Sequence, residues 1–258
     1  FSEKELAKTA YEQMLKLPVY HNIFASSNLP GIALCDKLVE IMPAEVNRIF
    51  LVNSGSEAND TVVKLVWYYN NALGRPEKKK ILSRRGSYHG STVASASLTG
   101  LGVAHLGFDV PLDRFVAVDG PDMYNEMEPG ETEETYAARL IARLEETILA
   151  EGPETVAAMV VDPLAVSGGV RLSPEGYFER LQALLRKHDI LFVVDEVISG
   201  FGRTGNMFAC ETFDLAPDIM TVAKGICSAY LPLAAVGVSE GVFSVMAEKS
   251  DEVGVFFH

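Results

Sequence analysis

Four short apolar runs in this chain end alike, each delivering a polar or charged group. Arg48-Ile-Phe-Leu-Val52 leads into Asn53-Ser-Gly-Ser56, and Ala157-Ala-Met-Val-Val161 into Asp162. Ile190-Leu-Phe-Val-Val194 leads into Asp195-Glu196, and Met220-Thr-Val-Ala into Lys224-Gly225. Continuous apolar stretches of this length predict buried parallel strands. Elsewhere the period is helical. Leu6, Ala10, Met14 and Leu17 fall on one side of a predicted helix over 1–17, stopped by Pro18, and a second runs from Pro30 to Ile41. Further helices are predicted from Ser56 to Asn71, Ser91 to Leu98, Thr132 to Leu149 and Pro174 to His188. Shorter apolar runs at 80–83, 115–118 and 233–238 complete the strands, while 21–29, 120–130 and 199–205 read as loops. Strands alternating with helices specify an α/β domain with helices on both faces of its sheet. The carboxyl ends of parallel strands line one crevice, so the four terminal groups are predicted to meet around one ligand.

Composition narrows the setting. At 258 residues the chain can bury a substantial core as one large domain or two modest ones. Its net charge of -13 disfavours nucleic acid or an anionic membrane surface as partner. No apolar run approaches the roughly 20 residues that cross a bilayer. Cys35, Cys210 and Cys227 are odd in number and lack metal-ligand spacing, so no metal is expected, and they fit the reducing cytoplasm. The start at Phe1, without Met or a signal pattern, leads us to expect a longer protein around this chain.

Each strand end carries candidate chemistry beside a plainer reading. Ser54-Gly55-Ser56 precedes a helix amino terminus, where free N–H groups and the helix dipole suit a phosphate; it reads equally as an ordinary N-cap by Ser56. Asp195 ends a wholly apolar strand, so it needs a partner: either a protonated ring nitrogen or a structural mate such as Arg203. Lys224 in a site of low dielectric would have a lowered amine pKa and attack an aldehyde, or it is a lysine snorkelling out of a strand end. Tyr88-His89-Gly90 offers a stacking ring, or a turn with a core aromatic. Asp162 could reach a ligand's phenolic oxygen through water, orient a neighbour, or cap a turn. Together these are a phosphate cup, an aromatic lid, an acid for a pyridinium and an amine for an aldehyde. Pyridoxal 5'-phosphate needs that set from a protein.

In four segments the chain resembles the class III (omega) aminotransferases of the fold-type-I pyridoxal-phosphate family. These are Asn53-Ser-Gly-Ser-Glu-Ala-Asn-Asp60, Ser87-Tyr-His-Gly90, Asp195-Glu-Val-Ile-Ser-Gly-Phe-Gly-Arg-Thr-Gly205 and Pro217-Asp-Ile-Met-Thr-Val-Ala-Lys-Gly225. The resemblance implies a mixed, mainly parallel seven-stranded sheet between helices, with 1–47 a helical lead-in and 48–258 the cofactor-binding large domain. It implies a homodimer that moves an amino group from an amine or ω-amino acid to an oxo acid, pyruvate foremost, by ping-pong kinetics. By the same resemblance Lys224 carries the Schiff base and shuttles the proton, and Asp195 holds the pyridine nitrogen. Val197 packs on the ring, Tyr88 covers its other face with His89 beside it, Ser54, Gly55 and Ser56 bind phosphate, and Asp162 lies near the ring. The chain departs from the family pattern at Asp162-Pro163, where Glu-Pro is usual, and at Val166-Ser-Gly-Gly169, where Gly-Ala-Gly-Gly is usual. The family's carboxyl-terminal small domain, with its substrate-binding arginine, is expected beyond Phe256-Phe-His258. Two other readings stay open: another class III reaction, such as an aminomutase or a decarboxylating transamination, and a non-catalytic remnant that binds without turnover.

Overall fold

The sheet is built where the apolar runs predict it, and one strand reverses its direction. In the computed structural model, which describes residues 2–21 and 26–256, helices α1 (Lys4–Lys16) and α2 (Leu29–Ile41) precede strand β1 (Val46–Val52). There follow α3 (Gly55–Ala72), β2 (Lys80–Arg84), α4 (Val93–Leu98), β3 (Phe115–Val118), the short α5 (Met123–Glu126) and α6 (Glu133–Glu151). Next come β4 (Val156–Val161), α7 (Tyr177–Lys187), β5 (Leu191–Asp195), α8 (Ala209–Phe213), β6 (Ile219–Val222) and β7 (Ala234–Ser239). Helices α9 (Glu240–Glu248) and α10 (Ser250–Val253) close the described chain. Part of the loop predicted over 21–29, and the end of the segment at 256–258, lie outside the described residues.

The seven strands form one sheet in the order β1-β7-β6-β5-β4-β2-β3. All neighbours from β3 across to β6 are parallel, whereas β7 is antiparallel to both β6 and β1. Two reversals cancel. β1 therefore points the same way as β6, and its carboxyl end shares the edge of β4, β5 and β6. Strands β4, β5 and β6 are buried throughout, as their unbroken apolar runs require. β1 corrects the prediction made from its run. It pairs only with β7, and its burial varies along the strand, with Phe50 38% exposed.

Helices cover both faces. Met159 and Val161 of β4 pack with α6 and α7 residues such as Leu144 and Leu181. Ala158 and Val160 join Val62, Val63 and Val66 of α3 on the opposite side, as the two-residue period of a strand demands. α1 behaves differently: none of its residues is buried, and Met14 is 51% exposed. Its first turn is tied to the body where the Glu3 N–H donates to the Tyr230 hydroxyl at 2.5 Å. α5, α8, α9 and α10 are not predicted from the sequence, and three of them span only one turn, too short for a helical period to register. Among the described residues, no helix is long and apolar enough to cross a membrane.

Candidate active site

The turn from β1 into α3 is fixed by reciprocal capping. Ser54 is the N-cap: its hydroxyl accepts the Glu57 N–H at 3.1 Å, while the Glu57 carboxylate accepts the Asn53 N–H at 2.8 Å. The N-cap reading of Ser56 is thereby corrected by two residues. Ser56 sits inside the first turn, and its Oγ accepts the Ser91 N–H at 3.1 Å, joining the Tyr88–Ser91 loop to the helix start. The N–H groups of this first turn have no acceptor within the helix, and the dipole places partial positive charge there. Gly55 is required by packing. A β-carbon at this position would lie 3.0 and 3.1 Å from the two methyls of Val197.

Asp195 ends β5 buried yet well supplied with donors. Its Oδ2 accepts from Asn59 Nδ2 and from His89 Nδ1, each at 2.8 Å, and its Oδ1 accepts the Val197 N–H at 3.0 Å. Burial raises a carboxyl pKa, but here the bonds to His89, Asn59 and Val197 prevail and hold Asp195 below its ordinary value. The structural mates of Asp195 are therefore His89 and Asn59, in place of the Arg203 suggested by the sequence. His89 is turned away from Tyr88, its sequence neighbour: the ring is 0% exposed and bonds Asp195, and its Nε2 has no partner among the described residues. Asp195, an acceptor when ionised, accepts the hydrogen bond from His89 Nδ1–H. His89 thus backs the acid, while Tyr88, 37% exposed, stands over the cleft.

Lys224 follows β6 with a backbone φ of 46°, a left-handed conformation uncommon outside glycine that recurs at functional sites. The residue is exposed and lines the cleft. Desolvation lowers its pKa, the nearby Asp195 charge opposes that shift, and Arg203 adds to it. Asp162, at the end of β4, is committed to neighbours. Its Oδ1 accepts from Ser87 Oγ at 2.5 Å and from the buried Arg84 at 2.9 Å, and the Arg84 guanidinium also donates to the Asp162 carbonyl. Of the three readings of Asp162, orienting a neighbour is the one with partners on display.

All nine predicted residues line a single cleft: Ser54, Gly55, Ser56, Tyr88, His89, Asp162, Asp195, Val197 and Lys224, joined by Gly90, Leu164 and Ile198. Its empty volume is about 550 Å³, open solvent at the mouth included. The donor set fits a phosphorylated pyridine aldehyde. A helix amino terminus would face the anion, an ionised acid the ring nitrogen and a desolvated amine the aldehyde, and Gly55 leaves the space that a β-carbon would fill. No cluster of three or more His, Cys, Asp or Glu suited to a metal occurs among the described residues.

The pattern of strand ends does not single out Asn59, Thr221, Arg84 or Ser87, all buried and bonded to one another or to residues that line the cleft. The signal that could find them is polarity out of place: Asn59 interrupts the buried apolar positions of α3, and Arg84 ends a strand that is otherwise covered.

Comparison with known proteins agrees with this arrangement. A family model described as aminotransferase class-III matches residues 2–255. Mitochondrial γ-aminobutyrate transaminase 1 of Oryza sativa subsp. indica is 48% identical over the whole of this chain, which spans 50% of that protein. γ-Aminobutyrate transaminase 2 of Solanum lycopersicum is 47% identical, with 56% of it covered. Among solved structures, the omega transaminase of Pseudomonas jessenii in complex with PMP superposes with a TM-score of 0.98 at 50% identity, covering all of this chain and 57% of that one. The chain thus spans about half the length of the relatives it matches.

Proposed function

The chain belongs to the class III aminotransferases, and from that premise we propose that it forms the pyridoxal-phosphate site of a transaminase. The enzyme would move a terminal amino group from an amine or ω-amino acid to an oxo acid such as pyruvate. The observation that carries this reading is the meeting of Lys224, Asp195 and the amino terminus of α3 in one cleft. The names of its relatives support the donor class, since γ-aminobutyrate carries its amino group at the end away from the carboxylate. When bound, pyridoxal phosphate supplies an aldehyde for amine exchange and a ring that accepts the electrons released when a proton leaves the donor carbon.

The chain's own groups do the rest. Desolvation keeps a larger share of the Lys224 amine unprotonated, so Lys224 would hold the aldehyde and serve as the base that moves a proton at the donor carbon. Asp195, kept ionised by its three donors, would accept the ring N–H and stabilise positive charge there. Val197, packed beside Gly55, and Tyr88 would support the ring, and the first turn of α3 with Ser54 and Ser56 would hold the phosphate. Asp162 keeps Arg84 and Ser87 in place at the cleft wall. Three free thiols suit a reducing compartment such as the cytoplasm. A homodimer is consistent with the exposed Val103, Leu106 and Phe108 in the loop after α4, and light scattering tests it.

The functional test is a titration of the purified intact gene product with pyridoxal phosphate, followed by a panel of amino donors. We expect a stable yellow protein that γ-aminobutyrate, β-alanine or a simple amine bleaches, with colour restored by an oxo acid. A protein that stays colourless refutes the reading, and one that is yellow but bleached by no donor supports binding without turnover.

A further inference from the structure

Asn59 bonds three parts of the site, as many as Asp195 does, yet it does not line the cleft. It lies on α3 four residues after Gly55, one turn deeper, and is 1% exposed. A buried amide among apolar neighbours is costly unless its groups are bonded, and here they are. Nδ2 donates to the His89 carbonyl at 2.6 Å and to Asp195 Oδ2 at 2.8 Å, and Oδ1 accepts from Thr221 Oγ1 at 3.4 Å. One side chain thereby ties the phosphate-facing helix to the Tyr88-His89 loop, to the end of β5 and to the strand that delivers Lys224.

We infer that Asn59 is a positioning residue that keeps the Asp195 carboxylate oriented and ionised for a pyridinium N–H. This role rests on the proposed cofactor chemistry. With Asn59 and His89 both on Oδ2 and the Val197 N–H on Oδ1, the carboxylate cannot turn without breaking a bond. Oδ1, with one donor, retains capacity for a ligand. The charged or titratable groups near Asp195 are His89 from the loop after β2, Lys224 from the end of β6 and Glu196 next in the chain. Asn59 differs from them because its donor strength does not change with pH. Removing it deprives an ionised acid of a buried bond, so Asp195 would take up a proton at a higher pH than in the native protein.

The test measures pyridoxal phosphate affinity against pH for the intact protein, for Asn59→Ser and Asn59→Asp, and for each in an Asp195→Asn background. Asn59→Ser removes the donor, and Asn59→Asp also places a second acid against the first. We expect affinity to fall about tenfold or more in Asn59→Ser, the size of a lost hydrogen bond to a charged group, and further in Asn59→Asp. The acid limb of the affinity profile should move to higher pH in both. In Asp195→Asn the serine substitution should cost less than about twofold, because neighbours that act through one group are not additive. An equal loss in both backgrounds, or an unmoved acid limb, overturns the assignment. Wild-type protein that binds no cofactor overturns the functional reading, and this role with it. Asn59→Ser carries the test if Asn59→Asp fails to fold.

Discussion

Asp195 and Glu196 stand side by side at the end of β5, and the strand's alternation turns them into different surroundings. Both are buried. Asp195 faces α3 and the His89 loop, where three donors outweigh burial and keep its pKa low. Glu196 accepts the Cys210 N–H at 2.7 Å and the Ser199 hydroxyl, and burial, with the charge on Asp195, pushes its pKa up. Its bonds hold the segment that carries Phe201 against Gly225, where a β-carbon would lie 2.8 Å from Phe201 Cβ. One carboxylate lines the cleft, and its neighbour braces the backbone just after Lys224. Burial alone therefore does not mark an active-site acid. The number and charge of its donors, and the space left on its free oxygen, do.

The largest expected effect falls on the amine that both carboxylates serve: Lys224→Ala should remove turnover and the yellow colour, read by visible absorbance, and retained transamination would reject the assignment. Asp195→Asn against Glu196→Gln tests the comparison directly. The first should cut kcat/KM on the order of a hundredfold or more, as losses of preorganised charge do. The second should leave it within about threefold, since a glutamine can accept from Cys210 N–H and donate to Ser199 Oγ. Equal losses in a steady-state assay would erase the distinction between the two acids.

Glu196→Leu sharpens it from the other side. Two buried groups lose their partner, and we expect about 2–4 kcal/mol of stability to go in urea unfolding. The pH dependence of stability should separate the two acids with opposite signs. Asp195 has a depressed folded pKa, so its stabilisation is present above its ordinary 3.8 and fades as pH falls through the folded value. Glu196 has a raised folded pKa, so stability is full below its ordinary 4.5 and declines as pH rises from there through the folded value. Glu196→Gln should flatten that upper decline, and an unchanged slope would contradict it. The smallest effect is Arg203→Gln. Without the guanidinium the Lys224 pKa rises, so at neutral pH cofactor uptake slows slightly, a stopped-flow measurement.

Much of this site is legible in the sequence, because its groups sit at the ends of apolar runs. Strand direction puts those ends on one edge, and each group there has a chemistry that a single residue type announces. The carboxyl-edge cleft lined by Ser54, Tyr88, Asp162, Asp195 and Lys224 follows from that. Less legible are the supports. Asn59 meets Asp195 across 136 positions, and Arg84 meets Asp162 across 78, so no local pattern pairs them. His89 sits in a motif, but the motif does not say that its ring turns inward while Tyr88 turns outward.

By itself, then, the order of residues determined the alternation of strands and helices, the edge at which the polar groups emerge, and the identity of those groups. Periodicity and residue chemistry are local, and they survive without knowledge of neighbours. The tertiary structure decided that β7 runs against its neighbours, that β1 lies at a half-covered edge, and that α1 leaves its apolar stripe exposed. It also decided which of two adjacent buried acids has its pKa held down and which has it raised. That outcome depends on which donors, distant in sequence, the packing brings within about 3 Å of a carboxylate oxygen.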